Sequence, residues 1–169
     1  EFVLRNAYIT AEGALELTMD RLKRTVKGTN CLILGYGRIG KFLARLLLDL
    51  HASVTVAARK GKDLVQAELD GCIPCPLRDL AGCLPRCDVL YNTIPHLILD
   101  QTLLPLVPKS CLCIDLASKP GGIDLRAAEQ LELETIWALG LPGKVAPGSA
   151  GQAIVDTVLQ ILTEQEVSL

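Results

Sequence analysis

The 169-residue chain is 50% hydrophobic and 21% charged, which suits one compact domain with a full core and leaves little room for two. Seventeen Lys and Arg against nineteen Asp and Glu give a net charge of -2, so no global field draws the chain to nucleic acid or an anionic membrane. Aromatic residues are 4%, which favours helices on buried aliphatic strands over a β-sandwich, and the most apolar stretch, Thr102 to Ala117, is broken by Pro105, Pro108 and Lys109 and is no membrane span. No secretory signal is expected. The chain opens on Glu1 and Phe2 rather than Met, as an excised domain would, and these two are set aside.

From Thr10 to Val26, the residues Ala14, Leu15, Met19, Leu22 and Val26 recur at helical spacing, and Lys27-Gly28 ends the helix. Cys31–Leu34 is a short apolar strand followed by a helix from Arg38 to Leu50. Val54–Ala57 (strand), Lys62–Asp70 (helix), Cys72–Cys75 (strand), Asp79–Leu84 (short helix) and Val89–Asn92 (strand) continue the alternation. Leu112–Leu116 reads as a strand, Asp124–Leu131 as a helix and Thr135–Ala138 as the last strand. Ser149-Ala150-Gly151-Gln152 reads as a capping box opening a helix to Thr163, with Ile154, Val155, Val158, Leu159 and Leu162 inward. The expectation is α/β: a doubly wound parallel Rossmann sheet in order 3-2-1-4-5-6. Residues 1–169 form a single dinucleotide-binding domain, with a core over 30–165. The 10–26 helix lies outside that core as a connection to another domain, exposing apolar surface where that domain sat.

Seven cysteines are an odd count, which points to a reducing compartment rather than a disulfide framework. Cys72, Cys75, Cys83 and Cys87 have C-x-x-C and C-x-x-x-C spacing, but the segment between the pairs reads as a strand end and a helical turn, not as two facing zinc knuckles. No metal is expected, and the thiols read as small core residues.

Gly35-Tyr36-Gly37-Arg38-Ile39-Gly40 is G-x-G-x-x-G between a strand and a helix, the context in which the pattern binds a pyrophosphate. Gly35 makes the turn, Gly37 admits the phosphate, Gly40 allows close helix packing, and the helix N-terminus offers free N–H groups. An NAD site carries Asp or Glu about 20 residues on, at the ribose hydroxyls. Here that strand ends in Ala58-Arg59-Lys60, with Lys62 nearby. The cations suit a 2'-phosphate, so NADP is expected, with NAD as the alternative.

Ligands of open α/β sheets lie beyond the carboxyl ends of the strands. Asn92, Thr93, Ile94 and Pro95 follow the fourth strand, and Asp115, Leu116 and Ala117 end the fifth; all seven are assigned to cofactor binding. His96, Asp115, Ser118 and Lys119 are the candidate catalytic residues. Gly140 to Gly148 supplies a third loop. No Ser-His-Asp order, metalloprotease helix or Walker lysine is present.

Asn92-Thr93-Ile94-Pro95, Ile114 to Gly122 and Gly140 to Pro147, together with the Gly35 loop, resemble the dinucleotide-binding domain of the family of dipicolinate synthase A-type subunits, from about Asn6 to Glu164. More distantly, the chain is similar to the cofactor domains of D-2-hydroxyacid dehydrogenases and adenosylhomocysteinase. The resemblance implies a cytoplasmic oxidoreductase of the mother cell in a sporulating bacterium, on a branch of the lysine pathway. It would oxidise a dihydrodipicolinate-level dicarboxylate to dipicolinate beside the flavoprotein-like B-type partner of dipicolinate synthase. The family's N-terminal substrate domain is missing from this sequence, and a homo-oligomer is compatible. The competing reading is a noncatalytic nucleotide-sensing or scaffold module for a partner protein.

Overall fold

A computed structural model describes residues 1–166. Strands β1 (Asn30–Leu34), β2 (Ser53–Ala58), β3 (Ile73–Pro76), β4 (Val89–Asn92), β5 (Leu112–Asp115) and β6 (Thr135–Trp137) form one sheet in the order β3-β2-β1-β4-β5-β6. Every pairing in it is parallel, as the alternation predicts. The helices are α1 (Phe2–Arg21), α2 (Arg38–Asp49), α3 (Gly61–Leu69), α4 (Leu125–Gln130), α5 (Leu141–Val145) and α6 (Pro147–Glu166). None of them is long and apolar enough to cross a membrane among the described residues.

Alternate strand residues face opposite sides, so the sheet separates two cores. Ile33, Val54, Val56, Tyr91 and Ile114 pack beneath Leu43, Ala44 and Leu47 of α2 and Ala11 and Ala14 of α1. Leu32, Leu34, Leu90 and Cys113 meet Leu80, Leu84, Leu104 and the Ala127-Ala128 pair of α4 on the other face. The first face lies under long helices. The second is covered largely by 3-10 turns at Leu77–Gly82, Leu84–Arg86 and Leu104–Leu106.

Three expectations are corrected. The first helix runs from Phe2 to Arg21 rather than Thr10 to Val26; Val26 is buried from the loop that follows. Its buried residues include Ala7, Ala11, Gly13 and Ala14, small side chains that admit close neighbours and leave no leucine stripe to read. It is part of the core, although Val3, Leu4, Tyr8 and Met19 stay exposed. In place of the Asp79–Leu84 helix stand two 3-10 turns, since Gly82 and Pro85 deny an α-helix its conformational bias and a donor. Finally, α6 begins at Pro147, which puts Ser149 inside its first turn rather than at the cap. Ile154, Val155, Val158, Leu159 and Leu162 are 50–57% exposed instead of inward.

A buried hydrogen bond ties α1 to the sheet. Thr18 Oγ1 and Tyr91 Oη lie 2.7 Å apart, and Thr18 Oγ1 also donates to the Ala14 carbonyl at 2.8 Å. Burial pushes the Tyr91 hydroxyl well above its usual range, so it remains a neutral donor. Tyr91→Phe is expected to cost about 1 kcal/mol, read as a lower urea midpoint with an unchanged slope.

Candidate functional site

The loop between β1 and α2 is fixed from both sides. Gly35 has φ +91°, a conformation that needs glycine, and its N–H donates to the Ala57 carbonyl at 2.8 Å. A Cβ there would lie 2.6 Å from Thr93 Oγ1. Gly40 packs so closely that a Cβ would collide with the Gly35 carbonyl oxygen. Gly37 differs: it is exposed, and a Cβ would meet nothing within 4 Å. Gly37 also caps α2 without a side-chain hydrogen bond, and the first turn holds no acid. The unshielded N–H groups and positive helix end below that open space fit a pyrophosphate. Arg38 is exposed and Ile39 half-buried. Tyr36 is buried and its hydroxyl donates to Asp70 Oδ2 at 2.6 Å, which fastens the loop near α3 and leaves its main chain for a ligand.

Ala58 is buried at the end of β2, whereas Arg59 and Lys60 are exposed just before α3. Among the described residues, Arg59, Lys60 and Lys62 form no ion pair.

The ends of β4 and β5 are joined through side chains. Asn92 and Asp115 are register partners, and both are buried. Asn92 Nδ2 donates to Asp115 Oδ1 at 2.8 Å and to the Ile94 carbonyl at 3.0 Å, while Asn92 Oδ1 accepts from Ile94 N at 3.1 Å. Asp115 also accepts from Ala117 N at 3.0 Å, Gly122 N at 2.8 Å and Ile123 N at 3.2 Å. One carboxylate thus gathers four donors and folds the loop after β5 back on itself. Thr93 Oγ1 donates to the Leu34 carbonyl at 2.8 Å, and Trp137 Nε1 to the Ala117 carbonyl at 3.0 Å.

These loops surround a cleft of about 600 Å³ beside the Gly loop. Ile39, Thr93, Pro95, Leu116, Ala117 and Ser118 line it, joined by Gly140, Leu141 and Pro142. Three lining residues, Phe2, Asn6 and Thr10, belong to α1. The sequence reading did not place them at the site, because it set aside Phe2, began the helix at Thr10 and put that helix outside the core. Ser118 is exposed on the cleft wall, and Lys119 and His96 are exposed on the adjoining loops without lining it. Among the described residues no group of three or more His, Cys, Asp or Glu is placed to hold a metal ion.

The likeness to known proteins follows the same segments. Residues 5–117 match the family described as D-isomer specific 2-hydroxyacid dehydrogenase, NAD binding domain. The chain is 35% identical to the A-type subunit of dipicolinate synthase of Bacillus subtilis (strain 168) over 164 residues, 97% of this chain and 55% of that protein. It superposes on the crystal structure of the corresponding dipicolinate synthase subunit from Bacillus halodurans with a TM-score of 0.93 at 37% identity, covering 95% of this chain and 56% of that one. For the dipicolinate synthase A chain from Bacillus subtilis the TM-score is 0.97 at 34% identity, covering 100% and 57%. The chain therefore spans about half the length of these relatives. Because the family match takes in most of α1, the Gly35 loop and the Asp115 turn through Ala117, the chain belongs to the NAD-binding domain family of the D-isomer-specific 2-hydroxyacid dehydrogenases.

Proposed function

We propose that this chain is the dinucleotide-binding unit of an oxidoreductase of the dipicolinate synthase A type. In this reading, a dihydrodipicolinate-level dicarboxylate loses two hydrogens as its ring becomes aromatic, in the mother-cell cytoplasm during sporulation. The nicotinamide, when bound, accepts the hydride. The chain's own residues do the rest. The Gly35 loop and α2 hold the pyrophosphate, and Thr93, Ile94, Pro95, Leu116 and Ala117 wall the ring side and exclude water. Ser118 offers a hydroxyl donor and Lys119 a cation for a substrate carboxylate. Asn92 and Asp115 spend their polar atoms on one another and on the backbone, so they act as positioning residues, not as proton carriers. A substrate domain and a flavoprotein-like partner of the B type complete the cleft.

Within this reading the dinucleotide is NADP. The observation that carries it is the cationic end of β2: Arg59 and Lys60 stand exposed without an ion-pair partner among the described residues, next to Ala58 where an NAD site would carry a carboxylate. NADP is expected to bind more tightly than NAD by about 1.5–3 kcal/mol, roughly a tenfold to hundredfold ratio, and the ratio narrows as salt screens the contact. Arg59→Ala removes most of the preference and leaves NAD binding nearly unchanged. Calorimetric titration with both dinucleotides decides it; equal affinities, or a preference for NAD, overturn the assignment.

A further inference from the structure

The crossover from β3 to β4 leaves its face of the sheet thinly covered. Two 3-10 turns, Leu77–Gly82 and Leu84–Arg86, are its only regular structure, and a cleft of about 370 Å³ opens between them and β1, β2 and β3. Cys75 and Cys83 both line it. Cys75 is buried in β3, and Cys83, between the two turns, is partly exposed. Their Sγ atoms are 2.8 Å apart, less than 1 Å beyond the length of an S–S bond, about 2.05 Å. Burial, with Cys83 alongside, pushes the Cys75 thiol up to about 12, so Cys75 keeps its proton at neutral pH. Cys83, the accessible member, is the one that meets a reagent entering from solvent.

We infer that Cys75 and Cys83 form a redox-active dithiol, a modification site that a small hydroperoxide entering the cleft converts into an intrachain disulfide. The Cys83 thiolate attacks one peroxide oxygen; the O–O bond breaks, the leaving oxygen takes a proton and departs as water or alcohol, and Cys83 becomes a sulfenic acid. The Cys75 sulfur then attacks the Cys83 sulfur. As the S–S bond forms the S–O bond breaks, and the departing hydroxide leaves with the Cys75 proton as water. The two thiols lose two electrons and the peroxide gains them. The bond closes across the Leu77–Gly82 turn, beside the end of β2, because Cys75 is in register with Ala57 and Pro76 with Ala58. A second pair, Cys87 and Cys111, lies 3.5 Å apart; Cys87 lines the same cleft, but both thiols are buried and the pair has no partly exposed member like Cys83 to meet the peroxide first, so it is expected to stay reduced.

The test treats the reduced full chain with a few equivalents of hydrogen peroxide, alkylates the remaining thiols and maps the peptides by mass. The expected product is one cross-linked species joining Cys75 to Cys83, lighter by two hydrogens and reversed by dithiothreitol. Cys83→Ser abolishes it, and Cys75→Ser leaves a sulfenic acid on Cys83 that dimedone traps. The wild-type map needs no variant to fold. Recovery of Cys75 as an alkylated thiol while Cys83 is overoxidised, a Cys87–Cys111 bond in its place, or no cross-link at all overturns the proposal.

Discussion

Gly40→Ala is expected to lower folding stability by about 3 kcal/mol, whereas Gly37→Ala leaves the fold intact and weakens dinucleotide binding at least tenfold. The two glycines are three residues apart, one capping α2 and one in its first turn, yet the space around them differs. A methyl group at Gly40 collides with the Gly35 carbonyl oxygen. That carbonyl cannot move aside, because the Gly35 N–H is held by Ala57 of β2 and Gly35 itself sits at φ +91°. Relief requires α2 to lift from β1 and forfeit the packing of Leu43, Ala44 and Leu47. A loss of that size lowers Tm by about 6–12 °C in a domain of this length. At Gly37 the backbone is extended, with φ -82° and ψ -162°, and the added methyl touches no protein atom. It occupies instead the approach of a phosphate to the start of α2, where a tenfold loss corresponds to about 1.4 kcal/mol. Thermal melts and dinucleotide titrations on both variants separate the roles; a Gly40→Ala protein as stable as the parent, or a Gly37→Ala protein with full affinity, refutes the corresponding half.

Asp115→Ala should be more damaging still, at about 4 kcal/mol. The carboxylate receives hydrogen bonds from Asn92 Nδ2 and from the backbone N–H groups of Ala117, Gly122 and Ile123, all at a buried position. Each buried donor left without a partner costs about 1–3 kcal/mol. The total stays below the sum of four because Asn92 keeps its bond to the Ile94 carbonyl and water can enter the vacated volume. Against the roughly 5–15 kcal/mol stability of an ordinary domain, that loss removes about a quarter to most of the margin. Asp115→Asn should recover about half the loss, since it keeps the shape and one acceptor but aims an amide at N–H groups. Urea denaturation measures both. An Asp115→Ala protein within about 1 kcal/mol of the parent, a margin no larger than one unsatisfied donor, would mean that the loop after β5 is held by Trp137 and its neighbours alone.

Strand order and the glycine turn between β1 and α2 were legible because each rests on local chemistry. Short apolar runs separated by helical periods imply parallel crossovers, and a glycine pattern between strand and helix carries its own geometry. Helix boundaries and burial were less legible. The apolar residues of α6, Ile154 to Leu162, have helical spacing, but spacing shows only that a helix has an apolar face; what covers it is not written in the segment. The opposite error affected α1, which was read as amphipathic but placed outside the core; its buried side is made mostly of small residues, Ala7, Thr10, Ala11, Gly13, Ala14 and Thr18, whose spacing does not reveal how closely the helix seats against the sheet. Asp115 was selected for its reactive group, and the structure places that group at the centre of a backbone turn. Nothing in the sequence distinguishes the two uses, because both call for a carboxylate at the end of a strand. The Cys75–Cys83 contact was likewise hidden, since it depends on two 3-10 turns where the residues suggest one short helix.

The unequal covering of the two sheet faces also sets a hierarchy of motion. Turns held by i to i+3 bonds open at lower cost than helices, and local opening in native proteins follows such weak units well before global unfolding. Amide protons of Leu77–Arg86 should therefore exchange with solvent far sooner than those of β1, β4 and α2. The Gly35 loop belongs to the slow part, tied to Ala57 and lying against Thr93, while the turn after β2 adjoins the fast part. On the proposed reading, a dinucleotide would meet a pyrophosphate seat that is already formed, and its adenosine end would lie nearer the early-opening turns, where ordering on binding costs entropy.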